Sequence, residues 1–201
     1  MSITIDLRPG AHQIDNAKVG RLIGIAAAGD EMSWQQLVQC FHGMLHSIAR
    51  SYRLCDADIA DVVQTTWLKL VEHLDGLHDP ERVGPWLATT VRRECLAVLG
   101  RAGRQIAYGD DCPECEGTEP RPGEEMLQAE RDRMLWSGVA RLRGTDQALL
   151  RLLVADERPG YDEISSSLGM PVGSIGPTRA RALARLRREL ARDGSLSLLA
   201  A

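Results

Sequence analysis

The amino-acid sequence predicts an all-α protein of two small helical lobes joined by an acidic flexible linker. Hydrophobic residues make up 44% of the 201 residues, yet there are only one Phe and three Tyr. Leu, Ala, Val and Ile must therefore fill the core, which favours helices over a β-sandwich. Apolar residues recur at three- and four-residue steps, as on the buried face of a helix. Residues 106–125 hold three Pro and three Gly among mostly acidic side chains and cannot fold alone.

These patterns divide the chain into five segments. Residues 1–16 have no clear period and contain Pro9-Gly10, so they are expected to be a flexible leader. The remaining segments are a first lobe, a linker, a second lobe and a tail, at residues 17–104, 105–123, 124–194 and 195–201. In the free protein, we expect the two lobes to be loosely tethered.

The first lobe is predicted to contain four helices. Residues 17–28 form a short Ala-rich helix, a second helix begins at Ser33, Asp56 caps the third, and Gly84-Pro85 starts the fourth. The inward stripe of the second helix is Leu37, Cys40, Phe41, Leu45, Ile48, Ala49 and Tyr52. The third helix turns inward Ile59, Val62, Val63, Thr66, Trp67, Leu70 and Leu74, and the fourth Trp86, Leu87, Val91, Cys95 and Leu99.

The second lobe is predicted to end in a helix-turn-helix. After helices over residues 126–142 and 146–155, the latter capped by Thr145, a short helix over 161–168 is followed by a Gly-containing turn. Ser174 is expected to cap the last helix, which places Pro177 in the first turn, where its missing N–H costs little. That helix turns inward Ile175, Ala182, Leu183, Leu186 and Leu190. The second helix of such a motif is the one that reads DNA.

The net charge of −4 hides a strong alternation along the chain. Residues 110–132 hold nine Asp or Glu against two Arg, whereas residues 171–192 hold six Arg against one Glu. Residues 91–104 hold four Arg against one Glu. A neutral solvated face usually mixes signs, so the basic segments indicate contact with nucleic acid.

Four motifs stand in the same order as in a known family. They are Gly29-Asp30 before a helix, Asp61-Val-Val-Gln-Thr-Thr-Trp-Leu68, Pro85-Trp86-Leu87 leading to Val91-Arg92-Arg93, and Tyr161-Asp-Glu-Ile164 with Gly169-Met-Pro-Val-Gly-Ser-Ile175. Together they resemble the sigma-70 family of bacterial RNA polymerase initiation factors, of the extracytoplasmic-function (ECF) type, which keeps only the second and fourth conserved regions. The resemblance covers residues 17–191. The run 173–181 is similar to an actinobacterial variant.

The resemblance implies roles for the first lobe and the linker. Asp61, Gln64, Trp67 and Leu68 match the surface that grips the β′ clamp helices of core RNA polymerase. The segment 78–104 resembles the part that reads and melts the −10 element, with Trp86, Arg92, Arg93, Arg101 and Arg104 as DNA-binding residues. A melted base needs a pocket or aromatic platform, and arginines hold phosphates. The acidic linker resembles the segment that threads the polymerase's nucleic-acid channel.

The helix-turn-helix resembles the reader of the −35 element, and the β flap of the polymerase is an implied partner of this lobe. Its implied DNA contacts are Ser174, Thr178, Arg179, Arg181 and Arg185. Arginine pairs bidentately with guanine, which contributes about 1–3 kcal/mol of discrimination. Many family members have basic residues where this chain has Gly176, Pro177 and Thr178, so no promoter sequence is transferred.

Trp67 and Trp86 also fit a core position, and the five cysteines leave further alternatives. Cys40, Cys55 and Cys95 fall inside apolar patterns, where a buried reduced thiol is expected. Cys112 and Cys115 have the spacing of a metal or redox pair, with His42 and His46 as a possible second half. A plain linker is the favoured interpretation, so no metal or cofactor is expected. No catalytic motif is present, and an enzyme is not expected.

The predicted function is promoter-specific transcription initiation by a cytoplasmic protein that is a monomer when free. No apolar stretch reaches the length of a membrane span, and no secretion signal precedes the first helix. Core polymerase, promoter DNA and an anti-sigma factor are the implied partners. Two alternatives are a dimeric helix-turn-helix regulator that acts without polymerase, and an adaptor that mimics a sigma factor and blocks polymerase.

Overall fold

A computed structural model describes residues 16–77, 79–105, 126–156 and 158–192, and these residues contain helices and no strand. The helices are α1 (Asn16–Ala27), α2 (Glu31–Ser51), α3 (Asp56–His73), α4 (Val83–Gln105), α5 (Met126–Ala140), α6 (Gly144–Val154), α7 (Tyr161–Leu168) and α8 (Val172–Arg192). Short 3-10 helices at Leu74–Gly76 and Pro80–Arg82 connect α3 to α4. None of the described helices combines the length and apolar character needed to cross a bilayer. The all-α prediction is confirmed.

The starts of α2 and α3 differ from the predicted ones. The Asp30 carboxylate accepts a 2.7 Å hydrogen bond from the Ser33 N–H, so Asp30 is the N-cap and α2 begins two residues before Ser33. Hydrogen bonding to Ser33 holds the pKa of Asp30 below its ordinary value. Cys55, and not Asp56, caps α3, with its Sγ 3.4 Å from the Asp58 nitrogen. In both places the capping side chain lies earlier in the chain than the predicted residue.

The starts of α6 and α8 also correct the sequence interpretation. Thr145 does not cap α6, because the N-cap is Arg143 and the Thr145 hydroxyl donates instead to the Gly103 carbonyl at 3.2 Å. Ser174 does not cap α8, which begins at Val172. Pro177 therefore lies inside the helix, beyond the first turn, where its missing N–H leaves one helical hydrogen bond unformed.

The predicted inward stripes are largely confirmed. Leu37, Leu45, Leu70, Leu87 and Val91 have no exposed surface. Cys40, by contrast, is exposed. At about 100° per residue, it lies roughly 120° from the centre of the stripe defined by its buried neighbours. Leu183, at the edge of the α8 stripe, is 44% exposed, and Ile48 is only partly buried.

The core is continuous from the N-terminal helices into the C-terminal ones. Helix α4 packs against α2 and α3 and also against α6 and α7. One hydrophobic cluster extends from Val19 to Ile175, and a second, smaller cluster joins α5, α6 and α8 around Val139, Leu150 and Leu186. The expectation of loosely tethered lobes is therefore wrong for this conformation, because the two groups of helices share buried apolar surface.

The cysteines provide a direct check of this packing. Burial beside Glu94 raises the pKa of the Cys95 thiol to about 12, so its thiolate is scarce near neutral pH. At pH 8, iodoacetamide should modify exposed Cys40 in the native protein and leave Cys95 unmodified, as read by peptide mass spectrometry. In 6 M guanidinium both should react. Rapid native modification of Cys95 would contradict the packing of α4.

Candidate nucleic-acid interface

One face of α3 is open to solvent and changes from polar to apolar along the helix. Asp61, Gln64 and Leu68 are all exposed, with Leu68 at 54%, and they lie at steps of three and four residues, which places them on one side of the helix. Val71 extends the same row and is 51% exposed. A row of this kind, with two large apolar side chains in water, is typical of a surface that a partner covers.

Trp67 borders this face and is half-buried. Its ring makes an edge-on contact with Trp34 of α2, with centroids 5.7 Å apart and ring planes at 73°. Its indole Nε1 is buried without a hydrogen-bond partner. Trp67 thus packs against the core on one side and adjoins the exposed row on the other. It therefore fits both sequence interpretations, a core position and a place at a polymerase-binding surface.

Helix α4 carries the predicted −10 residues. Trp86 is half-buried, packs on the core and lies 6.0 Å from the His73 ring. Arg93 and Arg101 are exposed and Arg92 is half-buried. The side chain of Arg104 and the whole of His78 lie outside the described residues. The described cations are therefore spread along one long helix rather than gathered at the tryptophan.

A helix-turn-helix is present where the sequence predicts one. Helix α7 ends at Gly169, whose φ of +64° is a left-handed conformation that glycine adopts without steric cost. The Ser165 carbonyl accepts from the Met170 N–H at 3.2 Å, and the Ser165 hydroxyl donates to the Met170 carbonyl at 2.7 Å. These local bonds fix the turn that leads into α8.

The predicted −35 residues on α8 differ in exposure and in how strongly hydrogen bonds restrain their side chains. Arg179 and Arg181 are exposed, whereas Ser174 and Thr178 are half-buried in the first two turns. The Arg181 guanidinium donates to the Thr178 hydroxyl at 3.1 Å, which steers it along the helix. An unrestrained arginine is better suited to reach a base edge than one that is already held.

Arg185 is held by an ion pair that the sequence analysis missed. Its Nη1 donates to Oδ2 of Asp146, whose side chain is only 4% exposed, while that of Arg185 is 32% exposed. A buried carboxylate needs a cation because desolvating an unpaired charge is expensive. Asp146 therefore fixes the direction of Arg185. The sequence signal that could have revealed this ion pair was an acidic residue among the apolar residues of α6.

Helices α6 and α8 enclose an open pocket of about 490 Å³. It is basic, because three arginines face one carboxylate there, and the N-cap of α6 has no side-chain hydrogen bond. Its lining residues are Arg143, Gly144, Thr145, Asp146, Thr178, Arg181 and Arg185. This combination of cations, hydroxyls and helical N–H groups suits a phosphate-bearing ligand.

The proposed metal pair cannot be assembled from the described residues. Cys112 and Cys115 lie outside them, as do the leader, most of the linker and the tail. The His42 and His46 rings lie in contact, with centroids 4.4 Å apart and ring planes tilted at 56°. Partial burial and the neighbouring His42 hold the pKa of His46 below its ordinary value. Within the described ranges, no group of three metal-ligating side chains is present.

Comparison with known proteins relates this arrangement to a family. The family described as sigma-70 region 2 matches residues 37–105, which cover α3, α4 and most of α2. The ECF RNA polymerase sigma factor SigM of Mycobacterium tuberculosis (strain Erdman) is 27% identical over 191 residues, covering 90% of this chain and 87% of SigM.

Two further relatives show similar identity. The probable RNA polymerase sigma factor RfaY of Xanthomonas campestris pv. campestris is 25% identical over 170 residues, and this chain spans only 42% of its length. The solved structure of the sigma factor RpoE from Bartonella quintana, in complex with the anti-sigma factor NepR, is 20% identical. It covers 79% of this chain and 96% of that chain with a TM-score of 0.43.

The match to region 2 coincides with the helices that carry the exposed α3 row and the α4 arginines, and the curated relatives that span most of the chain are sigma factors. Residues 37–105 are therefore a sigma-70 region 2 segment, and the chain is similar over most of its length to ECF RNA polymerase sigma factors.

Proposed function

We propose that this protein binds core RNA polymerase and directs initiation at specific promoters. One observation carries the proposal: a sigma-70 region 2 segment and an arginine-bearing helix-turn-helix occur in the same chain. The first feature supplies a polymerase-binding surface and the second a DNA-reading helix. Initiation chemistry then belongs to the polymerase, and this chain acts as a cytoplasmic binding factor rather than as an enzyme.

Core polymerase binds, in this proposal, through residues 17–104 and above all through α3. Asp61 and Gln64 provide polar contacts, while Leu68 and Val71 provide exposed apolar surface. Trp67, supported by Trp34, holds the edge of this surface rigid. A rigid apolar patch with a polar border is the usual composition of a protein interface.

Promoter DNA is contacted, in this proposal, by α4 and by α8. On α4, Arg93 and Arg101 are exposed and could hold phosphates near the −10 element, and Trp86 lies on the N-terminal part of the same helix. On α8, Arg179 is the best-placed reader of −35 bases because it is exposed. Arg181 and Arg143 border the basic pocket, where they would hold a backbone phosphate.

The remaining proposals follow from the resemblance. The acidic residues 105–123 would thread a channel that is positively charged because it holds nucleic acid. The segment 124–194 would form the −35-binding part, with the β flap as its polymerase partner. An anti-sigma factor is proposed as the regulator of the free protein, which is expected to be a monomer.

In-vitro transcription tests the function directly. Core polymerase from the organism that encodes this chain should initiate on genomic fragments only when the protein is added. Complete absence of initiation on every fragment, at low salt, would reject the sigma assignment. A dimer that binds a palindromic site without polymerase would favour the alternative, a helix-turn-helix regulator.

Replacement of Leu68 should weaken core binding. Burial of a Leu side chain contributes about 1.5–3 kcal/mol. Leu68→Ala should therefore raise the Kd for core polymerase by about tenfold or more, since 1.4 kcal/mol is a factor of ten. Ile25→Ala on α1, where Ile25 is 51% exposed and lies outside the α3 row, is the matched control and should change the Kd much less than Leu68→Ala. Equal effects of the two changes would argue against the α3 surface, as measured by fluorescence anisotropy.

The two arginines Arg179 and Arg185 should respond differently to replacement by alanine. Arg179→Ala should weaken binding to a −35 duplex by about tenfold, at unchanged stability, because a base contact contributes about 1–3 kcal/mol. Arg185→Ala should lower the free energy of unfolding by about 1–3 kcal/mol, because it leaves the Asp146 carboxylate buried without its partner.

Urea unfolding and DNA titrations on both variants separate these effects. Loss of stability in Arg179→Ala, or none in Arg185→Ala, would contradict the assignment. The conservative change Asp146→Asn should recover part of the stability lost with Arg185→Ala when the two are combined, because a neutral amide is cheaper to bury than a lone carboxylate.

A further inference from the structure

Two histidines stand one turn apart on the outer side of α2. His42 is exposed and His46 is half-buried, and the centroids of their rings are 4.4 Å apart. Side chains at positions i and i+4 share one helix face, so both imidazoles lie on the same side of α2. At about 100° per residue, they lie roughly 100° around the helix from the centre of its buried stripe, which is Leu37, Phe41, Leu45 and Ala49.

This spacing lets both rings reach a single metal ion. The same step of four residues places the two histidine ligands of H-E-x-x-H zinc sites on one helix face. An imidazole nitrogen binds a metal ion at about 2.0–2.1 Å, so two nitrogens on one ion lie about 3 Å apart. Rings whose centroids are 4.4 Å apart need only small rotations about their side-chain bonds to bring one nitrogen of each to that separation.

The space beside the pair is open. Gly43 lies between the two histidines in sequence, and a Cβ atom added there would meet no heavy atom within 4 Å. In the part of the chain that the structure describes, no third His, Cys, Asp or Glu joins the pair to form a closed metal site. Two protein ligands leave coordination positions for water, and the open space can hold that water.

The charges around the pair are mixed. Arg50, one turn after His46, and Asp56, at the start of α3, act electrostatically on the His46 ring. They have opposite signs, so their effects on a bound cation partly cancel. Binding therefore depends on the two imidazole nitrogens. Imidazole suits Cu²⁺, Ni²⁺ and Zn²⁺, whereas Mg²⁺ and Ca²⁺ prefer oxygen ligands.

We propose that His42 and His46 form a surface site for one divalent transition-metal ion, held by two imidazole nitrogens and water. Cu²⁺ should bind more tightly than Ni²⁺ or Zn²⁺, because the affinities of nitrogen sites follow that order. The site belongs neither to the exposed α3 row nor to α8, so the inference stands whether or not the chain directs initiation. It requires neither Cys112 nor Cys115.

Nuclear magnetic resonance can locate the bound ion. Cu²⁺ is paramagnetic and broadens the signals of nearby protons. Substoichiometric Cu²⁺, slightly above neutral pH, should broaden the ring signals of His42 and His46 first. His73 is the reference, because it is an exposed histidine of α3 with no histidine three or four positions away. Equal broadening of all three rings would overturn the proposal.

Replacement of either histidine should abolish chelation. His42→Gln and His46→Gln should each weaken Ni²⁺ binding by about tenfold or more, because the second nitrogen binds as an intramolecular ligand at high effective concentration. His73→Gln is the matched control and should leave the affinity unchanged. Calorimetric titration measures these affinities in a parent protein that carries serine in place of Cys40, Cys112 and Cys115. Unchanged affinity in both His42→Gln and His46→Gln would contradict the site.

A change of spacing separates chelation from binding by single histidines. The variant His46→Gln/Ser47→His keeps all five histidines of the chain, but the pair on α2 is then separated by about 140° around the helix. Ser47 is exposed, so the replacement leaves the core intact, which circular dichroism can verify. This variant should bind Ni²⁺ as weakly as His46→Gln does. Binding as tight as in the parent protein would overturn the proposal.

Discussion

The rest of the structure depends on the double burial of α4. Helix α4 packs on α2, where Gly84 lies against Phe41, and on α6 and α7, where Gly103 lies against Ala148 and Gly100 against Ser167. A helix covered on two sides has only a narrow strip left for solvent. That strip carries the exposed arginines of the region 2 segment, so their direction is set by the packing on both sides.

The buried Asp146 gives the arginines of α8 different roles, because it pairs with one of them. A carboxylate with 4% exposure must be paired, and Arg185 is the cation that pairs with it. The pair joins α6 to α8 and settles the orientation of the recognition helix on its support. Arginines on the same helix that have no such partner keep the freedom to reach a ligand. Amino-acid composition alone does not distinguish the arginine that pairs with Asp146 from those that remain exposed.

The exposed faces fit a protein that acts between two large partners. The α3 row is polar at its N-terminal end, with Asp61 and Gln64, and apolar at its C-terminal end, whereas α8 is basic along its exposed side. Because the acidic and the basic residues lie in different parts of the chain, a protein of net charge −4 can carry a basic helix that is suited to bind DNA. The same separation of charge favours a polymerase contact on one side and DNA on the other.

The sequence by itself determined the helical class, the helix-turn-helix and most of the buried positions. These follow from local periodicity and from residues such as Gly169, whose conformation is a local property. The tertiary structure alone decided the exposure of Cys40, the pairing of Asp146 and the close contact of α7 with Gly100. Each of these depends on which surfaces meet across tens of residues of chain. Helical periodicity reports only that a face is buried, and it does not report against which helix.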